Sequence, residues 1–422
     1  MHDAALVIGL VGVLIFAAHL FEALFRHTRI PDVLPLVAIG LLLGPLLGIA
    51  TPTSFGAVGP IFTIVTFVLI LFEAGTGLSI SALRKTYKES LILTTITFIL
   101  NVVLVGVAAH YLTGLGFIKS FILASVVGGI SSAIIAPMLY QLNIQEEGKA
   151  VLLLESSITP VLCVIATLSF IDIANLGDIT RFDFGLAMGK MIASFLLAAM
   201  LGTVGAFGWS YIFNKVRGLQ NSMFTTAAIV FVIFGLAEWL GYSGAIAALA
   251  FGITLGNISS LRLPKLYNGF NTDFSGLNIS EKAFFAELVF ILKTFFFVYI
   301  GISLQLANWW LIVIGLALTI IIYLVRLPIV KLTVQKSTPV LDASMLAVVI
   351  PRGLAAAVLA SIPFQQGMDG GEIIQNTAYA IILISIIITS LLVFLIDKTR
   401  FKNFYSWFFS NLGKQPKSTE SS

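Results

Sequence analysis

The sequence predicts an all-α polytopic membrane protein of about thirteen transmembrane helices, two of them interrupted at mid-depth. Three observations carry that expectation. The 422 residues are 58% hydrophobic and only 10% charged, whereas a soluble domain of this size is about one quarter charged. The apolar residues fall into runs close to the roughly 20 residues that cross a bilayer. Lysine and arginine sort to alternate sides of that series of runs.

The runs lie near residues 4–25, 31–49, 57–80, 88–113, 116–141, 149–173, 184–213, 222–240, 243–258, 281–305, 308–330, 341–364 and 373–396. With the N-terminus outside, the inner connectors, their flanks and the tail hold Arg26, Arg29, Arg84, Lys85, Lys88, Lys149, Arg326, Lys331 and most other cations. The outer ones hold Lys119 and Arg181. The positive-inside rule then puts the C-terminus in the cytoplasm, with the chain integral to the plasma membrane. The first run is too long for a cleaved signal peptide, and its positive charges follow it rather than precede it. The longest connector, about 257–280, reads as a cytoplasmic linker between two helical halves. In the tail, 397–422, Phe401, Phe404, Tyr405, Phe408, Phe409 and Leu412 recur at helical spacing, as in an amphipathic helix at the membrane surface.

Composition also excludes functions. The single cysteine, Cys163, and the scattered His2, His19, His27 and His110 form neither a disulfide framework nor a metal-ligand spacing. No nucleophile–base set or phosphate loop is present, so neither an enzyme nor a cofactor is expected. The net charge of +4 follows the membrane sides and implies no nucleic-acid partner.

The fifth and sixth runs hold the most informative stretch, from Gly128 to Pro160. The fifth carries Gly128-Gly129-Ile-Ser131-Ser132 and Pro137; the sixth carries Glu155-Ser156-Ser157-Ile-Thr159-Pro160. Glycine pairs and prolines free backbone groups, and hydrocarbon tolerates this only where protein or a water-lined cavity satisfies them. A carboxylate at this depth costs roughly 2.5–3.5 kcal/mol on insertion scales, so Glu155 requires a partner or a role. Lys293 lies at similar depth in the tenth run, and an ion pair with Glu155 is expected there. Glu73, in Leu-Phe-Glu-Ala-Gly, is the other deep carboxylate, either lining an ion path or bonded to a neighbouring hydroxyl. Ile-Pro351-Arg352-Gly353 interrupts the twelfth run. Two broken spans in corresponding positions point to an inverted-repeat transporter. Arg352 is expected to bind the carbonyl ends of the breaks or to reach a carboxylate such as Glu73. Gly40, Gly44 and Gly48 form a small-residue stripe that suits helix packing.

Taken together, Ile30-Pro-Asp-Val-Leu-Pro, Gly-Leu-Leu-Leu-Gly-Pro45, Leu-Phe-Glu73-Ala-Gly, Leu-Glu155-Ser156, Lys293 ahead of Gly301, and Pro351-Arg352-Gly353 resemble the NhaP-type branch of the monovalent cation:proton antiporters across nearly the whole chain. The resemblance implies a homodimeric thirteen-helix fold, with a six-helix core in which two broken helices cross and a separate dimerisation domain. Core helices would be those about 57–173 and 281–396; dimerisation helices would be those about 1–49 and 184–258. It also implies alternating access, a cation and protons competing for one carboxylate, and a role in pH homeostasis. This chain departs from the pattern in two places. Ile130-Ser131-Ser132 stands where such proteins carry Thr-Asp-Pro, and Thr159-Pro160 stands where they carry Asn-Asp. Serine, threonine and proline do not titrate near neutrality, so exchange of Na⁺, K⁺ or Li⁺ would fall to Glu73 or Glu155. Ser131, Ser132, Ser156 and Thr159 would complete an oxygen cage, and Lys293 and Arg352 would give structural support. The missing aspartates leave two other readings open: a same-fold transporter of another solute such as an anion, and a non-transporting scaffold or sensor.

Overall fold

In the computed structural model, residues 2–28, 33–51, 58–77, 87–139, 142, 144–175, 184–216, 223–258, 276–304, 308–399 and 402–412 are described, and their regular structure is helical throughout. In order these are α1 (His2–Thr28), α2 (Val33–Leu41, extended by a π-turn over Leu42–Leu46), α3 (Val58–Gly77), α4 (Tyr87–Thr113), α5 (Phe117–Val126), α6 (Ser132–Leu139) and α7 (Glu146–Asn175). Then follow α8 (Phe184–Val216), α9 (Met223–Trp239), α10 (Gly244–Asn257), α11 (Ile279–Ser303), α12 (Trp309–Thr333), α13 (Val340–Val348), α14 (Leu354–Gln365), α15 (Gly371–Lys398) and α16 (Lys402–Phe408). Counting α5–α6 and α13–α14 as one broken span each gives the thirteen expected from sequence. Six of the helices are long and apolar enough to cross a bilayer unaided.

Helix ends follow local chemistry. Asn278 and Glu281 form a capping box at the start of α11, each side chain bonding the other's backbone N–H at 2.7–2.8 Å. At α10, the Ser243 hydroxyl accepts from Ile246 N at 3.3 Å, and the Glu238 carboxylate accepts from Gly244 N at 2.7 Å. Lys119 donates to Asp369 at 2.7 Å, tying the first turn of α5 to the α14–α15 turn and holding the Asp369 carboxyl, which lies outside the spans, below its usual range.

Packing divides the helices into two groups. One comprises α4, α5–α6, α7, α12, α13–α14 and α15, six spans around both breaks; the other comprises α1, α2, α3, α8, α9, α10 and α11. In these contacts α3 and α11, which fall within the ranges 57–173 and 281–396 expected for the core, pack with the second group. Backbone approach explains their place. A Cβ on Gly252 of α10 would overlap Phe72 O of α3, and one on Gly75 would lie 2.7 Å from Leu249 O. Likewise α2 meets α11 through Gly40, Gly44 and Gly301. Without a hydrophobic force between helices in lipid, such small-residue contacts are what hold them together. Gly48 is the exception in its stripe: it has φ +66° and open space around its Cα, so it turns the chain instead of packing a helix.

Gly40→Val is therefore expected to force α2 away from α11, because the added carbon overlaps Val298 O and lies 2.8 Å from Gly301 Cα, both backbone atoms that cannot rotate aside. The check is the thermal unfolding midpoint in detergent, which should fall by the equivalent of about 1–3 kcal/mol.

The tail helix α16 lies against α13, burying Tyr405, Phe409 and Leu412 while Phe404 and Trp407 remain exposed. The buried side chains of this segment pack on protein. The segments 259–275 and 413–422, and with them most of the expected linker, lie outside the described residues.

Candidate functional site

The two breaks face each other. Between α5 and α6 the chain leaves the helix at Val127 and re-enters at Ser132; between α13 and α14 it leaves at Val349 and re-enters at Leu354. Ser131 N donates to Pro351 O at 2.9 Å, joining them directly. Arg352 Nη1 donates to Gly128 O at 3.0 Å and Gly129 O at 2.6 Å, so its guanidinium satisfies carbonyls that the first break sets free. Its own backbone N–H is taken by Ser385 Oγ at 3.0 Å. Thr159 Oγ1 accepts from Ile130 N at 2.9 Å, a further bond to the first break. Of the two roles open to Arg352, the structure has it on the carbonyls.

Glycine is required where the breaks touch. A Cβ on Gly353 would overlap Ser131 Oγ and lie 2.5 Å from Ser131 Cβ. Gly353→Ala is expected to push the two breaks apart and cut transport several-fold or more, with helix content retained; circular dichroism beside a flux assay separates the two effects.

Glu155 is wholly buried and paired with Arg326 of α12, whose Nη1 and Nη2 donate to its two oxygens at 2.5 and 2.6 Å. The same guanidinium donates through Nε to Leu346 O and through Nη1 to Thr97 Oγ1, both at 3.0 Å. This corrects the expected Glu155–Lys293 pair. The reason is helix packing: α7 and α12 lie in the core, while Lys293 rides on α11 in the other group. Arg326 had read as an inner-face flank, yet the apolar run continues past it through Leu327-Pro-Ile-Val. That continuation was the available sign that it lies within the bundle.

Glu73 and Lys293 meet the core at a different place. A cavity of about 70 Å³ lies where the two groups abut, with room for several waters. From α3 and α11 it is lined by Glu73, Ala74, Val289 and Lys293; from the core it is lined by Gly129, Ile130, Ser131, Pro160, Cys163 and Gly353–Ala356. Both side chains that carry charge thus come from one group, while the other supplies a hydroxyl and the unwound backbone. Lys293 Nζ also sits 5.3 Å above the Phe290 ring.

The oxygen cage expected from sequence is therefore split. Glu73 and Ser131 line the cavity. Glu155 is bound to Arg326 and Thr159 to the first break, while Ser156 donates to Leu153 O at 3.1 Å within its own helix. Ser132 opens α6, and its side chain lies outside the described residues. Among the described residues, no group of three or more His, Cys, Asp or Glu side chains could hold a metal ion.

Residues 12–398 match the family model described as sodium/hydrogen exchanger, transmembrane. The chain belongs to this family. It is thereby an integral membrane protein of a transporter family. Among curated relatives, the K⁺/H⁺ antiporter NhaP2 of Shewanella sp. (strain MR-4) is 23% identical over 400 residues, covering 90% of this chain and 64% of the relative. The K⁺/H⁺ antiporter subunit KhtU of Bacillus subtilis (strain 168) is 27% identical over 264 residues, covering 58% of this chain and 61% of KhtU. This exchanger-family chain thus spans a little under two thirds of the length of these relatives. In fold it is similar to the sodium proton antiporter MjNhaP1 of Methanocaldococcus jannaschii at pH 8, with a TM-score of 0.74 at 19% identity, over 92% of this chain and all of that one.

Proposed function

We propose that this chain exchanges a monovalent cation for protons by alternating access, with the cavity between the two helix groups as the ion site and Glu73 as its titrating carboxylate. The observation that carries this reading is the division of labour between the two glutamates. Glu155 has both oxygens committed to Arg326, whereas Glu73 faces a cavity large enough for water and an ion. The site lies between the two groups, so a shift of the six-span core against α3 and α11 would open it to one side or the other. Ser131 and the backbone of the two breaks supply neutral oxygens suited to a hard monovalent ion. Two of the relatives described above are K⁺/H⁺ antiporters by name, which makes K⁺ the first ion to test, ahead of Na⁺ and Li⁺. In this reading the N-terminus is outside, the C-terminus is in the cytoplasm, and two copies pair through the seven-span group in the plasma membrane.

A second reading rests on Lys293. Its positive charge lines the same cavity, and a site with one acid and one base could instead take an anion once the acid is protonated. One assay addresses both. Sealed proteoliposomes carrying an internal pH gradient are challenged with K⁺, Na⁺ and Li⁺ in turn. Cation-dependent collapse of the gradient supports exchange; its absence in folded, reconstituted protein overturns it for those ions and turns the search to anions.

A further inference from the structure

The face of α4 turned into the core carries Ser90, Thr94, Thr97 and Asn101, spaced four, three and four residues apart. All four are at most 4% exposed, while Leu91, Ile92, Ile96 and Ile99 on the same helix point outward. Thr97 accepts from Arg326. Ser90 Oγ, Thr94 Oγ1 and Asn101 Oδ1 have no hydrogen-bond partner.

Buried hydroxyls on apolar helices ordinarily donate back to the carbonyl four residues earlier. Thr113 does so on α4 itself, to Ala109 O at 2.6 Å, and Thr319 does so on α12, to Gly315 O at 2.7 Å. Thr94 does not, although its own turn offers the same bond. Three unpartnered polar side chains flank the bonded Thr97 in one row, and buried polar groups of this kind are ordinarily satisfied by water or an ion. The chemistry favours water. The hydroxyl and amide groups are neutral, and Glu155 and Arg326, which the row meets through Thr97, already neutralise each other. From Ser90, in the first turn of α4, to Thr97 the helix rises only about 10 Å.

We propose that the Ser90–Thr94–Thr97–Asn101 face binds a file of ordered water running from the surface at the N-terminal end of α4 to the Glu155–Arg326 pair. It is an aqueous route separate from the cavity beside Glu73. It rests on the chain spanning the membrane and not on which ion is exchanged. Because α4, α7 and α12 all belong to the six-span group, this route moves with the core and does not open and close between the two groups.

The test reads water access instead of transport. Cys163 is the only cysteine in the chain, so a Cys163→Ala background carries no thiol. Thr94→Cys, Asn101→Cys and, as a buried apolar control on the same helix, Val105→Cys are reconstituted and exposed to a small charged methanethiosulfonate from either side. A hydrated thiol ionises and reacts, whereas a dry one does not. Thr94→Cys is expected to react at least about tenfold faster than Val105→Cys, and from the side of the α4 N-terminus. Equal rates, or reaction only from the opposite side, overturn the proposal. Thr94→Val in the otherwise unaltered chain gives an independent reading. If the hydroxyl holds water, its removal lowers the thermal midpoint; if it is dry and unpartnered, the midpoint rises and the proposal fails.

Discussion

Arg326→Leu is expected to destabilise the folded protein by about 3–5 kcal/mol, because it leaves the Glu155 carboxylate buried without a counter-charge. The guanidinium is wholly buried and serves four helices at once: Glu155 on α7, Thr97 on α4 and Leu346 on α13, from its own position on α12. Glu155→Leu alone should be comparably damaging, since it strands the guanidinium. The double variant Glu155→Leu/Arg326→Leu should recover a large part of the loss, because two apolar side chains of similar volume can replace a buried pair at little net cost. Recovery should stop short of wild type by about 1–3 kcal/mol, as Leu346 O and Thr97 Oγ1 lose their donor. Arg326→Lys falls between, keeping the charge but not the fork that meets both carboxylate oxygens. Thermal unfolding of the four proteins in detergent, followed by tryptophan fluorescence, closes the cycle. If the double variant is as unstable as the two singles summed, the residues do not act as a pair.

The pair also shows what could be read from the sequence and what could not. Span number and the two breaks follow from one-dimensional signals, apolar run length and Gly and Pro inside a run, whereas a charge beside a break left Arg352 open between freed carbonyls and a carboxylate. Which helices neighbour one another does not. Glu155 and Lys293 match in depth, and depth along a span is legible; azimuth and helix neighbourhood are set by packing. Here that packing is governed by backbone approaches at Gly40, Gly75, Gly252 and Gly301, which draw α3 and α11 away from the core. The same limit applies to the cage. Ser156 and Thr159 share the helix of Glu155, so sequence proximity groups them, yet each hydroxyl is engaged with backbone, Ser156 with its own helix and Thr159 with the first break. Ser131 reaches the cavity because it sits in a break rather than in a helix.

Glu73→Gln is expected to abolish cation-dependent proton flux, down to the level of empty liposomes, while changing stability by no more than about 1 kcal/mol. Glutamine preserves the shape and hydrogen-bonding reach of the side chain and removes only its titration, so a loss of flux in folded protein would isolate the proton-exchanging role. Glu155→Gln should give a different signature: lower yield and thermal midpoint, because the bidentate acceptor of a wholly buried Arg326 is weakened. The contrast follows from what each carboxylate would have to give up. For Glu155 to take a proton or an ion, it must release a guanidinium bonded to both its oxygens. Glu73 meets a cavity whose core wall is the neutral Ser131 hydroxyl and unwound backbone, with Lys293 on its own side, so water, proton and cation can replace one another there without breaking a two-oxygen bond to a guanidinium. Ser131→Ala should accordingly leave exchange in place but raise the half-saturating cation concentration about fivefold, the equivalent of one lost oxygen ligand at roughly 1 kcal/mol. Should Glu73→Gln retain exchange while Glu155→Gln, demonstrably folded, loses it, the ion would have to be bound inside the core at the Arg326 pair. The cavity between the groups would then serve only as an approach to it.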